Sequence, residues 1–271
     1  MEDISVILDE GPIARSYFKL FKIRNCKFKN IFQLNSTNFF LRKLNLDKKR
    51  KNFYALKFIK SEKFNKTFDY IEKQLSLEKN FIKDMYLDNT DNIYENKIYI
   101  HQSQINSEKI SKNSFFNDSH LFLNTSSQII KNKELLKKKI IHVHPAKMPE
   151  IKGADGSLWQ MFYFNSLSCT VFYINNKIDE GEITFIKNFD IPKLDNISSF
   201  LKTDMDKYRF WYSFVDPVLR TSTLDTLLFK KKNDKKNDKR NDKKKDIITS
   251  SNYYSFMPDE KRKLIFGKIF T

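Results

Sequence analysis

The chain is poor in the residues that punctuate or cross-link a fold. Its 271 residues include two cysteines, four histidines, five glycines, six prolines and two tryptophans. Cys26 and Cys169 are too few and too far apart to suggest a disulfide framework, which fits a reducing compartment. No apolar run approaches the ~20 residues that span a bilayer, so no membrane-spanning helix is expected. Met1 to Leu8 carries two acids and no basic stretch, unlike a signal peptide. The expectation is a soluble, cytoplasmic protein with no membrane partner.

Positive charge is in excess. The formal net charge is +17, and 40% of the residues are hydrophobic, enough for one substantial core. Such a field attracts nucleic acid, anionic membrane or a phosphorylated substrate. It is unevenly spread. The tract Lys230 to Asp246 holds ten basic and four acidic residues. A four-residue unit recurs in it, beginning Lys231-Lys232-Asn233-Asp234 and ending Lys243-Lys244-Lys245-Asp246. No apolar residue interrupts the tract, so it has no face to bury and is expected to be disordered. It reads either as a polyanion-binding arm or as a tolerated loop expansion.

Strand and helix signals alternate along the first two thirds of the chain. Ile4 to Leu8 is a short apolar run suited to a buried strand. Gly11-Pro12 marks a turn, and Ile13, Tyr17, Leu20 and Phe21 then recur at helical spacing. Cys26 to Leu34 predicts a second strand, and Phe68, Ile71, Leu75, Ile82 and Met85 predict one long helix. Ile98 and Ile100 fall in another strand, His120 to Asn124 in a further one. Asn132 to Lys138 predicts a short helix, and Ile140 to His144 the strand after it. A helix and the strand Cys169 to Ile174 follow. This alternation predicts an α/β, Rossmann-like, mostly parallel sheet with helices on both faces. In such sheets the ligand crevice lies outside the carboxyl ends of the strands, and His144 falls at one. Past Pro192 the pattern changes. Residues 1–192 are expected to form the main domain and 193–271 a small C-terminal extension that includes the charged tract.

Three of the five glycines (Gly153, Gly156, Gly181) and two of the six prolines lie between residues 142 and 181. A chain so short of glycine that concentrates it here needs special backbone geometry at this place. The segment begins His142-Val143-His144-Pro145 and returns at Asn175-Asn176-Lys177-Ile178-Asp179-Glu180-Gly181. His142 and His144 share one strand face. A histidine at a strand end, with a carboxylate arriving from the next strand's loop, is a general acid/base arrangement. The carboxylate orients the imidazole and favours its protonated form, which can donate to an oxyanion on a carbonyl. His101 and His120 lack this context and read as structural.

The ordered series His142-Val143-His144-Pro145, Met148-Pro149, Lys152-Gly153, Trp159, Cys169-Thr170-Val171 and Asp179-Glu180-Gly181 resembles a known family. This is the formyltransferases that use 10-formyltetrahydrofolate, which include the glycinamide-ribotide, methionyl-tRNA and nucleotide-sugar enzymes. Upstream, Gln128-Ile129-Ile130 and Glu134-Leu135-Leu136 resemble the loop and helix beside the family's pterin pocket. The match covers residues 119 to 192. The resemblance implies the formyltransferase fold, with His144 and Asp179 as catalytic residues. It implies cofactor contacts from Gln128, Ile129, Ile130, Tyr173, Ile174, Asn175 and Ile178, largely through backbone. It implies no metal. One position departs: the family's Asn, which donates an amide N–H to the oxyanion, falls on His142. A His there can also donate one hydrogen bond, so it is a third catalytic candidate.

The implied reaction is transfer of a formyl group from 10-formyltetrahydrofolate to an amine. A nucleotide-linked amino sugar is the first expectation for the acceptor, with the turn Asp9 to Pro12 on its side of the site. A tRNA acceptor gains from the net charge but loses from the short C-terminal segment. A metal-dependent hydrolase built on His-x-His plus Asp, and a non-catalytic ligand-binding relative, are the other readings.

Overall fold

A computed structural model describes residues 3–35, 54–90, 92–110, 112–230 and 252–270. The charged tract, from Lys231 onward, lies outside the described residues, and so does the expectation that it is disordered.

The sheet has seven strands in the order β3-β2-β1-β4-β5-β7-β8. β1 (Ile4–Leu8), β2 (Phe28–Asn35), β3 (Tyr94–His101), β4 (Leu121–Asn124) and β5 (Lys139–His144) run parallel. β7 (Leu167–Tyr173) and β8 (Glu182–Phe189) complete it antiparallel. β1 and β4 sit centrally and are buried throughout, which is why they read as unbroken apolar runs rather than alternations. The chain moves outward from β1 through β2 to β3, then returns to β1's other side with β4. The switch point, where ligand crevices form, is therefore between the ends of β1 and β4.

Helices cover both faces. On one face lie α1 (Pro12–Ile23), α2 (Asn65–Gln74) and α3 (Phe81–Leu87), whose apolar stripes join Val6, Leu8, Ile31, Leu123, Ile141 and Val143 in the larger core. On the other, short helices α4 (Ser114–Asn117) and α5 (Lys133–Leu136) help enclose Ile7, Phe32, Phe122 and Ile140. The single long helix expected from Phe68 to Met85 is instead two. Ser76 and Asn80 take positive φ values of 51° and 66°, which end α2 and open a new start. Glu72 then turns its buried carboxylate onto the amides of Asn80 and Ile82, at 2.9 and 2.8 Å, and so caps α3. The apolar spacing survives the break because both helices present the same side to the sheet.

Three short elements follow β5: β6 (Ile151–Gly153), α6 (Gly156–Phe164) and then β7. Beyond β8, α7 (Asp204–Phe210) continues through wider turns at Trp211–Val215 into α8 (Asp216–Asp225). α8 packs on α1, β5 and β7. Phe210, Trp211, Phe214 and Leu219 lie in the same core as β1 and α1. β9 (Asn252–Tyr254) pairs with β6, and α9 (Asp259–Ile269) lies on α6 and α7. Among the described residues no helix is long and apolar enough to cross a membrane.

Candidate active site at the end of strand β5

The carboxyl end of β5 presents His142 and His144 on the face shared with Ile140, because side chains alternate along a strand. Register with β7 puts Phe172 opposite His142 and Thr170 opposite His144. The Phe172 ring meets the His142 ring edge-on at 5.6 Å between centroids.

The loop after β5 is fixed by side chains reaching into its backbone. Thr170 donates to the Ala146 carbonyl at 2.7 Å and accepts from the Met148 amide at 3.0 Å. Gln160 accepts from the Lys147 amide at 2.8 Å. The loop then forms β6, where Gly153 has φ of 92° and lies so close to the Tyr254 carbonyl that no side chain fits. The Gly153 amide donates to Asp179 Oδ2 at 2.8 Å, which carries the carboxylate to the end of β5. Lys152 and Glu180 pair beside it at 2.9 Å.

His144 is 3% exposed. Its Nε2 lies 3.1 Å from the Ile151 carbonyl, an acceptor, so Nε2 carries the proton and donates. Its Nδ1 lies 3.8 Å from Asp179 Oδ2, an ion-pair distance rather than a hydrogen bond. Burial and the nearby Arg220 guanidinium push its pKa down to about 3. His144 is therefore neutral at rest, not protonated as the sequence pattern implies. The protein interior disfavours the cation, and Asp179 stands too far off to offset that.

His142 is partly exposed. Asn124, at the end of the adjacent strand β4, donates from Nδ2 to His142 Nδ1 at 3.3 Å. Burial and Arg220 lower the His142 pKa to about 4, against an opposing pull from Asp179. Arg220 acts from the other face of the sheet. Its Nη1 donates to the Val143 carbonyl at 2.7 Å, between the two histidines, and its Nε to Asp216 at 2.8 Å. Asp216 and Arg220 are both buried on α8. The sequence carries one signal for this pair: an acid and a base four residues apart, the spacing that brings side chains together on a helix.

The structure thus brings His142, His144 and Asp179 together. The residues expected to contact a cofactor are spread over two loops on either side of β5. After β4, the Gln128 amide is held by Ser126 at 2.9 Å and the Ile129 carbonyl accepts from Asn106 at 2.9 Å. Ile129 is 47% exposed, whereas Ile130 is buried in the smaller core. After β7, Tyr173 and Ile174 pack partly on the cores, and the Ile174 amide bonds the Ile140 carbonyl at 2.8 Å. Asn175 clamps its own turn through Glu180 and Lys177, leaving Ile178 42% exposed. Ile129 and Ile178 are thus exposed apolar side chains on the two loops that flank β5.

The Asp9 to Pro12 turn borders the same region, since the Asp9 amide donates to Thr125 at 3.0 Å. His101 bonds Ser103 at 2.7 Å and lies on β3, away from this group. His120 is exposed at the start of β4. Among the described residues no three His, Cys, Asp or Glu side chains converge as a metal-ligand set. A separate cavity of about 320 Å³, bordered by Ile71, Leu75, Lys187, Phe189, Val215 and Leu219, includes none of these site residues in its lining.

No family model matches the chain, and no curated protein matches it. Among solved structures it is similar to a sugar N-formyltransferase from a Shewanella species, with 15% identity, 93% of this chain and 76% of that chain covered, and a TM-score of 0.46. It is similar to a phosphoribosylglycinamide formyltransferase from Streptococcus pneumoniae, with 14% identity, 84% and 99% covered, and a TM-score of 0.43. A methionyl-tRNA formyltransferase from Clostridium thermocellum shows 15% identity, 75% and 66% covered, and a TM-score of 0.35.

Proposed function

We propose that the chain is a formyltransferase that moves a formyl group from 10-formyltetrahydrofolate to an amine. One observation carries the reading. The residues that the sequence motif pairs, His144 at the carboxyl end of the parallel strand β5 and Asp179 in the loop after β7, meet at 3.8 Å. When bound, the folate supplies a formyl carbonyl open to attack and a nitrogen leaving group. Gln128 to Ile130 and Tyr173 to Ile178 would hold it, with Ile129 and Ile178 as apolar walls.

The roles of the chain's own residues follow from their hydrogen-bonding states. His144 already donates through Nε2 to Ile151, so its remaining nitrogen, Nδ1, is an acceptor that faces Asp179. The Asp179 carboxylate, directly or through water, takes the proton the attacking amine releases, and neutral His144 lies beside it with Nδ1 3.8 Å away. The same proton returns to the leaving nitrogen as the carbon–nitrogen bond breaks. His142 accepts from Asn124 at Nδ1 and keeps a proton at Nε2, which is available for the oxygen charge that develops on the formyl group.

For the acceptor we favour a phosphorylated or nucleotide-linked amino sugar, bound on the Asp9 to Pro12 side. The +17 charge supports an anionic acceptor of this kind. It equally favours tRNA, which stands as the second reading. The test is incubation of the protein with 10-formyltetrahydrofolate and a panel of amino-sugar nucleotides, scored by mass for the gain of one formyl group. Formylation of none of them, with initiator tRNA formylated in parallel, would move the assignment to the RNA substrate. No product from either would overturn formyl transfer.

A further inference from the structure

The departure from the motif at position 142 has a counterpart one strand away. Asn124 ends β4, one residue past the Leu123–Ile141 pair that sets the β4–β5 register, and is 2% exposed. Its amide makes three bonds that fix its orientation. Oδ1 accepts from the Ser126 amide at 3.1 Å, and Nδ2 donates to the Ser126 carbonyl at 3.0 Å. A flipped amide would set N–H against N–H and carbonyl against carbonyl, so the Ser126 backbone permits one orientation only. The second Nδ2 hydrogen then has one place to go, His142 Nδ1 at 3.3 Å. A nitrogen that accepts a hydrogen bond bears no proton. The ring also interacts with the Asn124 backbone, which favours its protonated form against the larger effect of burial, and part of the residue reaches solvent.

We propose that Asn124 is a positioning residue that sets the tautomer of His142, holding the ring proton on Nε2 so that a neutral imidazole acts as a hydrogen-bond donor at the site. This rests on the formyl-transfer reading for its purpose, though not for its geometry. It also accounts for how a histidine can stand where a donor amide is expected. A free neutral imidazole divides its proton between two nitrogens, and only one tautomer presents a donor at Nε2. Both hydrogens of the Asn124 amide are engaged, so it acts through His142 rather than on the substrate.

The test is ¹⁵N NMR of the imidazole in the whole, substrate-free protein, with His142 assigned by comparison with His142→Asn. Wild-type protein near pH 7 should show His142 Nδ1 in the pyridine-type range and Nε2 in the pyrrole-type range; the reverse pattern overturns the proposal without any Asn124 variant having to fold. Asn124→Asp, which presents an acceptor to Nδ1, should reverse the pattern or protonate the ring. Unchanged shifts in a folded Asn124→Asp protein also overturn it. Where turnover is measurable, Asn124→Asp should lower kcat by about 100- to 1000-fold, the usual cost of one oxyanion donor. The same change in a His142→Ala background should cost far less, because the residue it acts through is already gone. An equal loss in both backgrounds would mark a merely structural role. The expected NMR pattern with no formyl transfer to any amine would support the tautomer assignment and sink the functional reading separately.

Discussion

His142 and His144 stand two residues apart on one strand face, yet their surroundings give them opposite tasks. His144 has its donor nitrogen occupied by Ile151 and leaves Nδ1 as an acceptor 3.8 Å from Asp179; His142 has its acceptor nitrogen occupied by Asn124 and offers a donor. Changing the donor should therefore be gentler when its replacement can also donate. His142→Asn should retain substantial turnover, while His142→Ala should lose about 100- to 1000-fold in kcat. His144→Ala and Asp179→Ala should lose at least as much; equal rates for wild type, His142→Asn and His142→Ala would remove the donor role. Both histidines are neutral in the fold, with pKa values lowered to about 4 and about 3. The unfolded chain takes up these protons near pH 6.5. The unfolded state thus binds more protons between that value and the folded pKa values, so the stability the two rings contribute is intact above pH 6.5 and is lost as pH falls towards 3. Melting temperature followed from pH 7 to 4 should decline, and decline less steeply in His144→Gln. A slope unaffected by that substitution would show that His144 is not held neutral.

At the scale of elements, β5 is held from both sides. α8 reaches it from below through Arg220 and the Val143 carbonyl, and β6 reaches its end through Ile151 and Gly153. A Cβ added at Gly156, in the first turn of α6, would lie 3.0 Å from His144 Nε2 and 3.1 Å from the Ala146 Cβ. Gly156→Ala should therefore push the imidazole from its bond to Ile151, lowering kcat more than it lowers melting temperature. Comparable kinetics in the alanine form would show that the ring tolerates the shift. The sequence showed some of this framework and hid the rest for identifiable reasons. β1 and β4 are legible as apolar runs because both their faces are buried. β8 does not show as a strand in the sequence, since as an edge strand it mixes exposed Ile183 with polar neighbours and has no clean alternation. The helix break at Ser76 was invisible because the apolar spacing continues through it. His142, His144 and Asp179 were found by motif. Asn124 and Arg220 were not, since their link to the histidines depends on strand register and on a helix packing from the opposite face, which spacing along the chain does not encode.

For the molecule as a whole, the question is which partner its positive field serves. The site reading predicts first that a reduced folate raises the melting temperature by mass action, and absence of any shift at millimolar folate in folded protein would count against the formyltransferase assignment. The charged tract poses the sharper test. It leads into β9, which pairs with β6 and so backs the loop that carries Gly153 to Asp179. Lys230 itself is tied to Asp225 at 3.0 Å, so the segment to exchange begins at Lys231. Residues 231–246 contain no apolar side chain that could join the core. Replacing them with a Gly/Ser linker of equal length keeps β9 tethered within reach while removing the charge. Folding and turnover on a small amine should then remain within a few-fold of wild type. A large loss on the small substrate would show that these residues help build the site itself. A loss confined to a polyanionic acceptor would have a different signature: binding should weaken as salt rises in the wild type, and the slope of log affinity against log salt should flatten in the linker form as fewer phosphate contacts remain. That pattern, read by retention of initiator tRNA across a salt series, would make the tract a docking arm and the acceptor an RNA. Its absence, together with formylation of an amino-sugar nucleotide by both proteins, would leave the tract as a loop expansion beside a small-molecule enzyme.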